Sequence, residues 1–294
     1  MSDESSSTRS RWGQDRRLEF IESRLQYTRQ VNRADLMDFF SISPPKASKD
    51  LADYDDRAPG NMAYDGSLKR YIPTPGFVPK FINPSADAYL TELYAVEMGI
   101  VPADTSFFGK LPPAGLVDTP ARPLDADKVA AFVDAINRRR TLAITYYSMR
   151  AETPTQRVIS PHALGFDGLR WHVRAFCHLR GSYRDFAIGR SKSVHTATET
   201  FVDAAGDRRW NTRVPLALAA NPELTPWQQR IVEEDYGMEE GGTLELDCRR
   251  AMLFYTVRHL NLMTDEAKTH PERHHVVLLN KDAVEAWIAE DALG

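Results

Sequence analysis

Apolar residues recur at helical spacing through the first sixty positions and give way to strand-like alternation further on. Leu18, Ile21 and Leu25 form one stripe with Phe20 beside it, which predicts a helix over residues 11–30 behind a polar tail. Asn32 follows as an N-cap. The run Asn32-Arg33-Ala34-Asp35 has the spacing of a capping box and opens a short helix through Leu36, Phe39 and Phe40. Ile42 fills the turn. Ser43-Pro44 then caps a third helix whose Ala47, Leu51 and Tyr54 face inward, leaving Lys46, Ser48, Lys49 and Asp50 outside. Helix, short helix, turn and helix is the helix-turn-helix order, in which the third helix enters a major groove.

Residues 58–72 read as a β-hairpin with Asp65-Gly66 as its turn and Leu68–Ile72 as a strand carrying two adjacent cations, Lys69 and Arg70. That hairpin is placed as a wing, although small helical domains of this pattern also serve as protein-docking modules. Prolines crowd residues 73–123 and stiffen them, around one amphipathic helix from about Ser85 to Met98. This helix is equally compatible with packing in a dimer interface and with packing on its own chain. A further helix over 125–139 buries Val129, Phe132, Val133 and Ile136 and feeds a run of strands from Thr141 to about Val194, a small bent sheet or partial barrel. Acidic, proline-broken sequence follows. Residues 242–248, 249–261, 275–280 and 281–289 then read as strand, helix, strand and helix, a compact βαβ-type extension. The fold class is therefore multidomain α+β. Its expected parts are 1–82, a winged helix-turn-helix; 83–123, a linker with a helix; 124–200, the bent sheet; and 201–294, the C-terminal extension.

Charge singles out one strand of that sheet. In residues 170–178 alternation sends Trp171, Val173, Ala175 and Cys177 to one face and Arg170, His172, Arg174, Phe176 and His178 to the other. Same-sign groups flanking an aromatic are unusual on a strand face, and this one is suited to an anion. Residues 140–195 hold nine Lys or Arg against three acids, net +6, whereas residues 196–294 hold ten against eighteen, net −8. Residues 1–82, with thirteen basic and twelve acidic groups, are near neutral. Bulk charge therefore does not mark a nucleic-acid protein, and that reading rests on motif and placement.

Several functions find no residues to carry them. Cys177 and Cys248, the two cysteines, sit in apolar strand-like surroundings without metal spacing, as in a reduced cytoplasmic chain. No signal peptide and no run of ~18 apolar residues is present, so no membrane role is expected. His270, His274 and His275 lack a carboxylate at metalloprotease spacing, and neither a phosphate-cradling glycine loop nor a G-x-S-x-G elbow appears. The expectation is a binding protein without catalytic residues, metal or cofactor.

The block from Ile144 to Val194 resembles the WYL domain of bacterial transcription regulators. Its pattern reads here as Ile144–Ser148, then Arg157-Val158-Ile159-Ser160-Pro161-His162-Ala163-Leu164 for R-x-I-x-P-x-x-L, then Trp171-His172-Val173 and Gly189-Arg190-Ser191. His172 stands where the eponymous tyrosine would be. Many such regulators carry a winged helix-turn-helix in front and a C-terminal extension behind, and in layout this chain is similar to WYL repressors found beside phage-defence systems of the BREX and CBASS kind. The resemblance implies an Sm-like WYL fold and a homodimeric repressor of a phage-defence operon that senses a nucleotide or nucleic-acid-derived ligand. An effector module that binds nucleic acid without regulating transcription is the alternative.

Two sets of residues follow. On double-stranded DNA, an inverted repeat in the chain's own promoter region, Ser43, Lys46, Ser48 and Lys49 face the groove while Lys69 and Arg70 meet the backbone. A nucleotide or oligonucleotide needs arginine forks for phosphate, a flat neighbour for the base and orienting donors. Ser148, His162, Arg174 and Arg190 are placed as that cradle, Tyr146 and Phe176 as flat neighbours and Arg180 at the rim. Each also has an ordinary role open to it, His162 as a satisfied loop histidine and the arginines as solvated or paired strand residues. The C-terminal extension and linker helix are expected to hold the dimer, and the proline-stiffened segment to pass a ligand signal to the DNA-reading helices.

Overall fold

The computed structural model describes residues 3–120, 122–149 and 151–293, which divide into two compact units, Met1–Asp118 and Thr119–Gly294. In the first unit α1 (Asp3–Ser23) runs back over residues expected to be a polar tail and ends in a wide π turn, Arg24–Thr28. The capping box of α2 (Arg33–Phe40) is present in both halves: Asp35 N donates to Asn32 Oδ1 at 3.0 Å and Asn32 N to Asp35 Oδ2 at 2.7 Å. Helix α3 (Pro44–Arg57) buries Ala47, Leu51 and Tyr54 against Leu18, Phe20, Ile21, Leu25 and Leu36. Asp50, expected outside, is fully buried, because Arg17 reaches across from α1 and bonds both its oxygens, at 2.6 and 3.3 Å.

The hairpin pairs β1 (Met62–Asp65) with β2 (Arg70–Pro73), and Val31 adds a third rung by exchanging two backbone bonds with Tyr71. Its turn is wider than the two-residue Asp-Gly turn expected, because Asp65 Oδ1 accepts from both Ser67 N and Leu68 N. The strand therefore starts at Arg70, and Lys69 sits in the turn with φ +53°. The helix of the proline-rich segment, α4 (Ala86–Glu97), packs on its own chain: Tyr89 stacks on Tyr27 at 4.6 Å, and the Tyr27 hydroxyl donates to Ser85 O. Ahead of α4 the chain is tied down by one buried carboxylate, Glu22, which accepts the backbone N–H groups of Lys80, Phe81 and Ile82 and the Tyr54 hydroxyl.

The second unit opens with α5 (Ala126–Arg138), capped by Asp125 and covering one face of a five-stranded antiparallel sheet. Its strands are β3 (Leu142–Tyr146), β4 (Thr155–Phe166), β5 (Trp171–Cys177), β6 (Ser182–Ala187) and β7 (Ser191–Thr196), in the order β6-β5-β4-β3-β7. Val173, Ala175 and Cys177 are buried as alternation requires. Trp171, placed with them, is 47% exposed, because it lies at the start of β5, beyond the core, against Phe166. A bulge at His162 breaks the β4–β5 register between Pro161 and Ala163 and re-aims that side chain.

After the short helix α6 (Arg208–Asn211) comes β8 (Arg213–Ala220), a strand that the sequence reading passed over. It is central. Helix α7 (Pro226–Asp235) precedes β9 (Leu244–Arg249), α8 (Leu253–His259), β10 (Val276–Leu278) and α9 (Lys281–Leu293), and the sheet order is β10-β8-β9. Since β8 is antiparallel to both neighbours, β9 and β10 run the same way, which preserves the expected βαβ crossover around an inserted strand.

Glu22→Ala should destabilise the first unit, because each buried N–H left without an acceptor costs roughly 1–3 kcal/mol. Chemical denaturation of the full chain measures this. An unchanged midpoint for the first-unit transition would show that the carboxylate does not anchor residues 80–82.

Candidate functional site

Two polar surfaces emerge, one in each unit. In the first, a groove of about 510 Å³ lies between α2, α3 and the hairpin, lined by Asn32, Arg33, Ser48, Tyr64, Lys69 and Tyr71 among others. Ser43 opens α3 exposed, and its hydroxyl makes no cap bond. Ser48 and Lys49 are exposed on the outer face, as helical spacing places them. Lys46 is partly committed, with Nζ 3.2 Å from Asp50. Lys69 projects from the hairpin turn, whereas Arg70 folds back to 3.5 Å from Asp35. Arg33 and Tyr64 join the groove without having been singled out; their place depends on the hairpin folding over α2, which no local pattern shows.

In the second unit, the sheet meets the C-terminal segment around a cleft of about 700 Å³, to which both faces of β6 contribute: Arg174 of β5 and Asp185 line it from the face away from α5, Arg184 and Phe186 from the other. Tyr146, Ser148, Arg174 and Arg180, four of the seven expected residues, line it. The other three do not. His162 Nε2 lies 3.0 Å from Asp207 Oδ2, its side chain nearly buried, and its ring stands edge-on to Trp210. Phe176 packs on His178 and Tyr183. Arg190 sits in the turn between β6 and β7, where its carbonyl accepts from Tyr147 N.

Arg174 also departs from its expected role as a free anion ligand. It is buried, and its guanidinium grips Asp207 as a fork, Nε to Oδ2 at 2.7 Å and Nη2 to Oδ1 at 3.0 Å, with Nη1 3.3 Å from Asp185 Oδ1. A bidentate pair of this kind is already satisfied. Arg209 is likewise engaged, with Asp291 at 3.0 Å. Arg157, Arg180 and Arg184 also line the cleft, and none of the three has a carboxylate partner among the described residues. Arg157 Nε donates to Thr155 Oγ1 at 3.0 Å and its Nη1 to Cys177 Sγ at 3.9 Å, while Arg184 Nε donates to Ser182 Oγ at 3.1 Å, which orients both guanidinia and leaves Nη2 of Arg157 and both outer nitrogens of Arg184. Three such forks in one cleft suit a multiply charged oxyanion. Tyr146, Tyr183 and Tyr255 supply the flat surfaces.

Electrostatics follow from burial. Asp207, although desolvated, is held well below the usual carboxylate range by hydrogen bonds from His162 and Arg174. His172, buried and stacked on Tyr255 at 5.2 Å, has its pKa lowered by desolvation against the opposing pull of Asp167 and Asp185. Among the described residues no group of His, Cys, Asp and Glu is arranged to hold a metal, and no helix is long and apolar enough to cross a membrane.

Three family descriptions match the chain: the BrxR transcriptional regulator winged helix-turn-helix domain over 13–95, the WYL domain over 127–196, and the BrxR transcriptional regulator C-terminal dimerization domain over 213–284. The chain is 48% identical over 291 residues to the DNA-binding transcriptional repressor CapW of Stenotrophomonas maltophilia, covering 99% of this chain and 97% of that one. It is 39% identical over 280 residues to CapW of Escherichia coli (strain KTE188), covering 95% and 93%. Among solved structures it is similar to proteasome accessory factor B/C of Arthrobacter aurescens at 18% identity and a TM-score of 0.26, over 94% of this chain and 48% of that one, so it spans about half of that protein.

Acid should loosen the second unit. A histidine whose folded pKa lies below its ordinary 6.5 contributes fully above that value and loses its contribution as the pH falls below it. Asp207, with its pKa depressed, contributes above 3.8 and acts only at still lower pH. The melting temperature of the unit should fall between pH 7 and 5, and His172→Gln or His172→Asn should flatten that fall. Equal slopes in variant and wild type would show that His172 does not set it.

Proposed function

The chain belongs to the CapW family of DNA-binding transcriptional repressors, and we propose that it represses a phage-defence operon in the cytoplasm, binding as a homodimer to an inverted repeat in its own promoter region. Its WYL cleft takes a phosphate-bearing nucleotide or oligonucleotide that alters DNA binding. The observation that carries the first half is full-length identity to named repressors, with a winged helix-turn-helix in front and a dimerization domain behind. Three arginines without carboxylate partners in one cleft carry the second.

Physical scale supports the dimer. One small winged helix buries too little DNA for the usual specific affinity, and two-fold pairing doubles the contacts while matching a palindrome. The exposed Ser48 and Lys49 of α3 read the groove, with Ser43 and the half-committed Lys46 at its start. Lys69, at the tip of the hairpin turn, meets phosphate. Arg70 reaches the backbone only by leaving Asp35. The net −8 of residues 196–294 keeps that region off DNA, since acid-rich surface near phosphate costs binding energy. Nothing in this assembly requires a catalytic residue.

In the WYL cleft Arg157, Arg180 and Arg184 hold phosphate oxygens, and Tyr146, Tyr183 and Ser148 face the remainder of the ligand. Arg174 acts there mainly as a scaffold. Ligand and DNA are coupled only if the two DNA-binding arrangements of the dimer differ in ligand affinity, and a coupling of ~1–3 kcal/mol changes DNA binding roughly 5–150-fold.

Gel-shift and anisotropy titration on the chain's own upstream region test this reading. Wild type should prefer the inverted repeat over random duplex and sediment as a dimer. Lys69→Ala should weaken binding to all sequences and reduce the salt slope by about 0.9 per lost phosphate contact, whereas Ser48→Ala should change sequence preference. The double variant Arg157→Ala/Arg184→Ala should lose the response to short oligonucleotides or cyclic nucleotides. A monomer without promoter preference would overturn the repressor reading, and a double variant that responds normally would overturn the sensor reading.

A further inference from the structure

The cleft is not closed by the WYL sheet alone. Tyr255, from α8 of the C-terminal region, forms part of its wall; its hydroxyl donates to Asp185 Oδ2 at 3.2 Å and its ring lies on His172. The other oxygen of Asp185 accepts from Arg174 Nη1 at 3.3 Å, while the remaining donors of that guanidinium hold Asp207. One arginine in the sheet therefore reaches the C-terminal region by two arms. The Asp207 arm is short and buried, and Asp207 Oδ1 also accepts from Trp210 N at the start of the short helix that leads into β8. The Asp185 arm consists of two long bonds, with its carboxylate 18% exposed and facing the cleft.

We propose that the Asp185–Tyr255 bond is the joint through which an anion in the cleft is felt by α8 and the C-terminal region, with Asp185 as the built-in competitor of that anion and Tyr255 as the positioning residue. The inference rests on the reading of the cleft as a phosphate site. Asp185 supplies the negative charge that the fourth arginine, Arg174, meets through Nη1. A phosphodiester gathered by Arg157, Arg180 and Arg184 brings a second negative charge into the same partly desolvated space, where like charges repel far more strongly than in water. Asp185 is then displaced from Arg174 Nη1, which keeps its place in the rigid planar guanidinium and passes to the ligand. Arg174 Nε and Nη2 stay on Asp207, so the sheet keeps its clamp while only the outer arm yields.

The yielding arm ends on a small element. Helix α8 spans seven residues, and its Leu253 and Val257 are buried in the C-terminal core beside Leu216 of β8 and Val284 of α9. A smaller cavity of about 260 Å³, lined by Asp185, Arg250, Phe254, Tyr255 and Ile288 among others, gives the Tyr255 ring room to move when its hydroxyl loses its acceptor. Both α8 and β8 lie within the matched dimerization domain, so a shift there bears on how two copies are held.

The test uses the full-length dimer, a fluorescent short single-stranded oligothymidylate as probe, and operator titrations with and without saturating probe. Each variant is compared with its own probe-free affinity. Tyr255→Phe removes only the hydroxyl and should reduce the probe-induced change in operator affinity at least several-fold while the probe still binds. Asp185→Asn keeps the shape without the charge and should bind the probe about tenfold more tightly. A wild-type response in Tyr255→Phe, or weaker probe binding by Asp185→Asn, overturns this joint alone. Failure of the wild type to bind the probe, or binding indifferent to Arg157→Ala/Arg184→Ala, overturns the phosphate site and the joint with it. Circular dichroism melts identify any variant that has failed to fold, and Tyr255→Leu, which keeps apolar bulk without a hydroxyl or aromatic ring, then provides the second reading: loss of the probe response supports the joint and retention overturns it.

Discussion

Arg174 is buried in the middle of β5, and a guanidinium in that position is tolerated only while its donors are met. Asp207 meets two of them from the segment leading into β8, and Asp185 a third from β6. The geometry of the second unit follows. His162, re-aimed by its bulge, completes Asp207 from the other side, and α6 begins where Asp207 caps it. Removing either partner of such a pair leaves the other charge buried, at a cost of about 3–5 kcal/mol. The clamp thus fixes the C-terminal segment on the sheet and decides which cations remain for a ligand.

That division explains where sequence reading succeeded and where it stopped. Local signals were reliable: the Asn32 capping box, the inward face of α3, and the alternation of Val173, Ala175 and Cys177 were all legible, because each depends on residues within a few positions of one another. Long-range pairing was not. Alternation correctly sent Arg174 away from the apolar core, yet the carboxylate that claims it lies thirty-three positions later in unremarkable acidic sequence. Asp50 looked solvent-facing until Arg17 crossed from α1. β8 was hidden because Pro215 and a run of small residues blur its alternation. Of the residues expected to hold a ligand, Tyr146, Ser148 and Arg180 line the cleft, and Arg157 and Arg184 line it without having been placed in that set.

In the proposed function three tasks are distributed along the chain. Near-neutral bulk charge over residues 1–82 leaves DNA reading to a few placed cations and to dimer symmetry. Positive charge is concentrated in the sheet, where part of it is spent on internal clamps and part faces the cleft. Excess acid in the C-terminal region repels phosphate and suits a dimerization role. In the proposed switch a ligand that enters between the free arginines competes with the protein's own carboxylates, so recognition of the anion also registers its arrival.

Linkage gives the most direct test of that coupling. If cleft and operator bias the same two arrangements, the factor by which an oligonucleotide changes operator affinity must equal the factor by which operator changes oligonucleotide affinity. The decisive measurement is the affinity of the free and the operator-saturated dimer for a short oligothymidylate, with Arg157→Ala/Arg184→Ala as the control for binding elsewhere. The account predicts two affinities that differ by the same roughly 5–150-fold factor seen in the operator titrations. Identical affinities for the free and DNA-bound protein would contradict it.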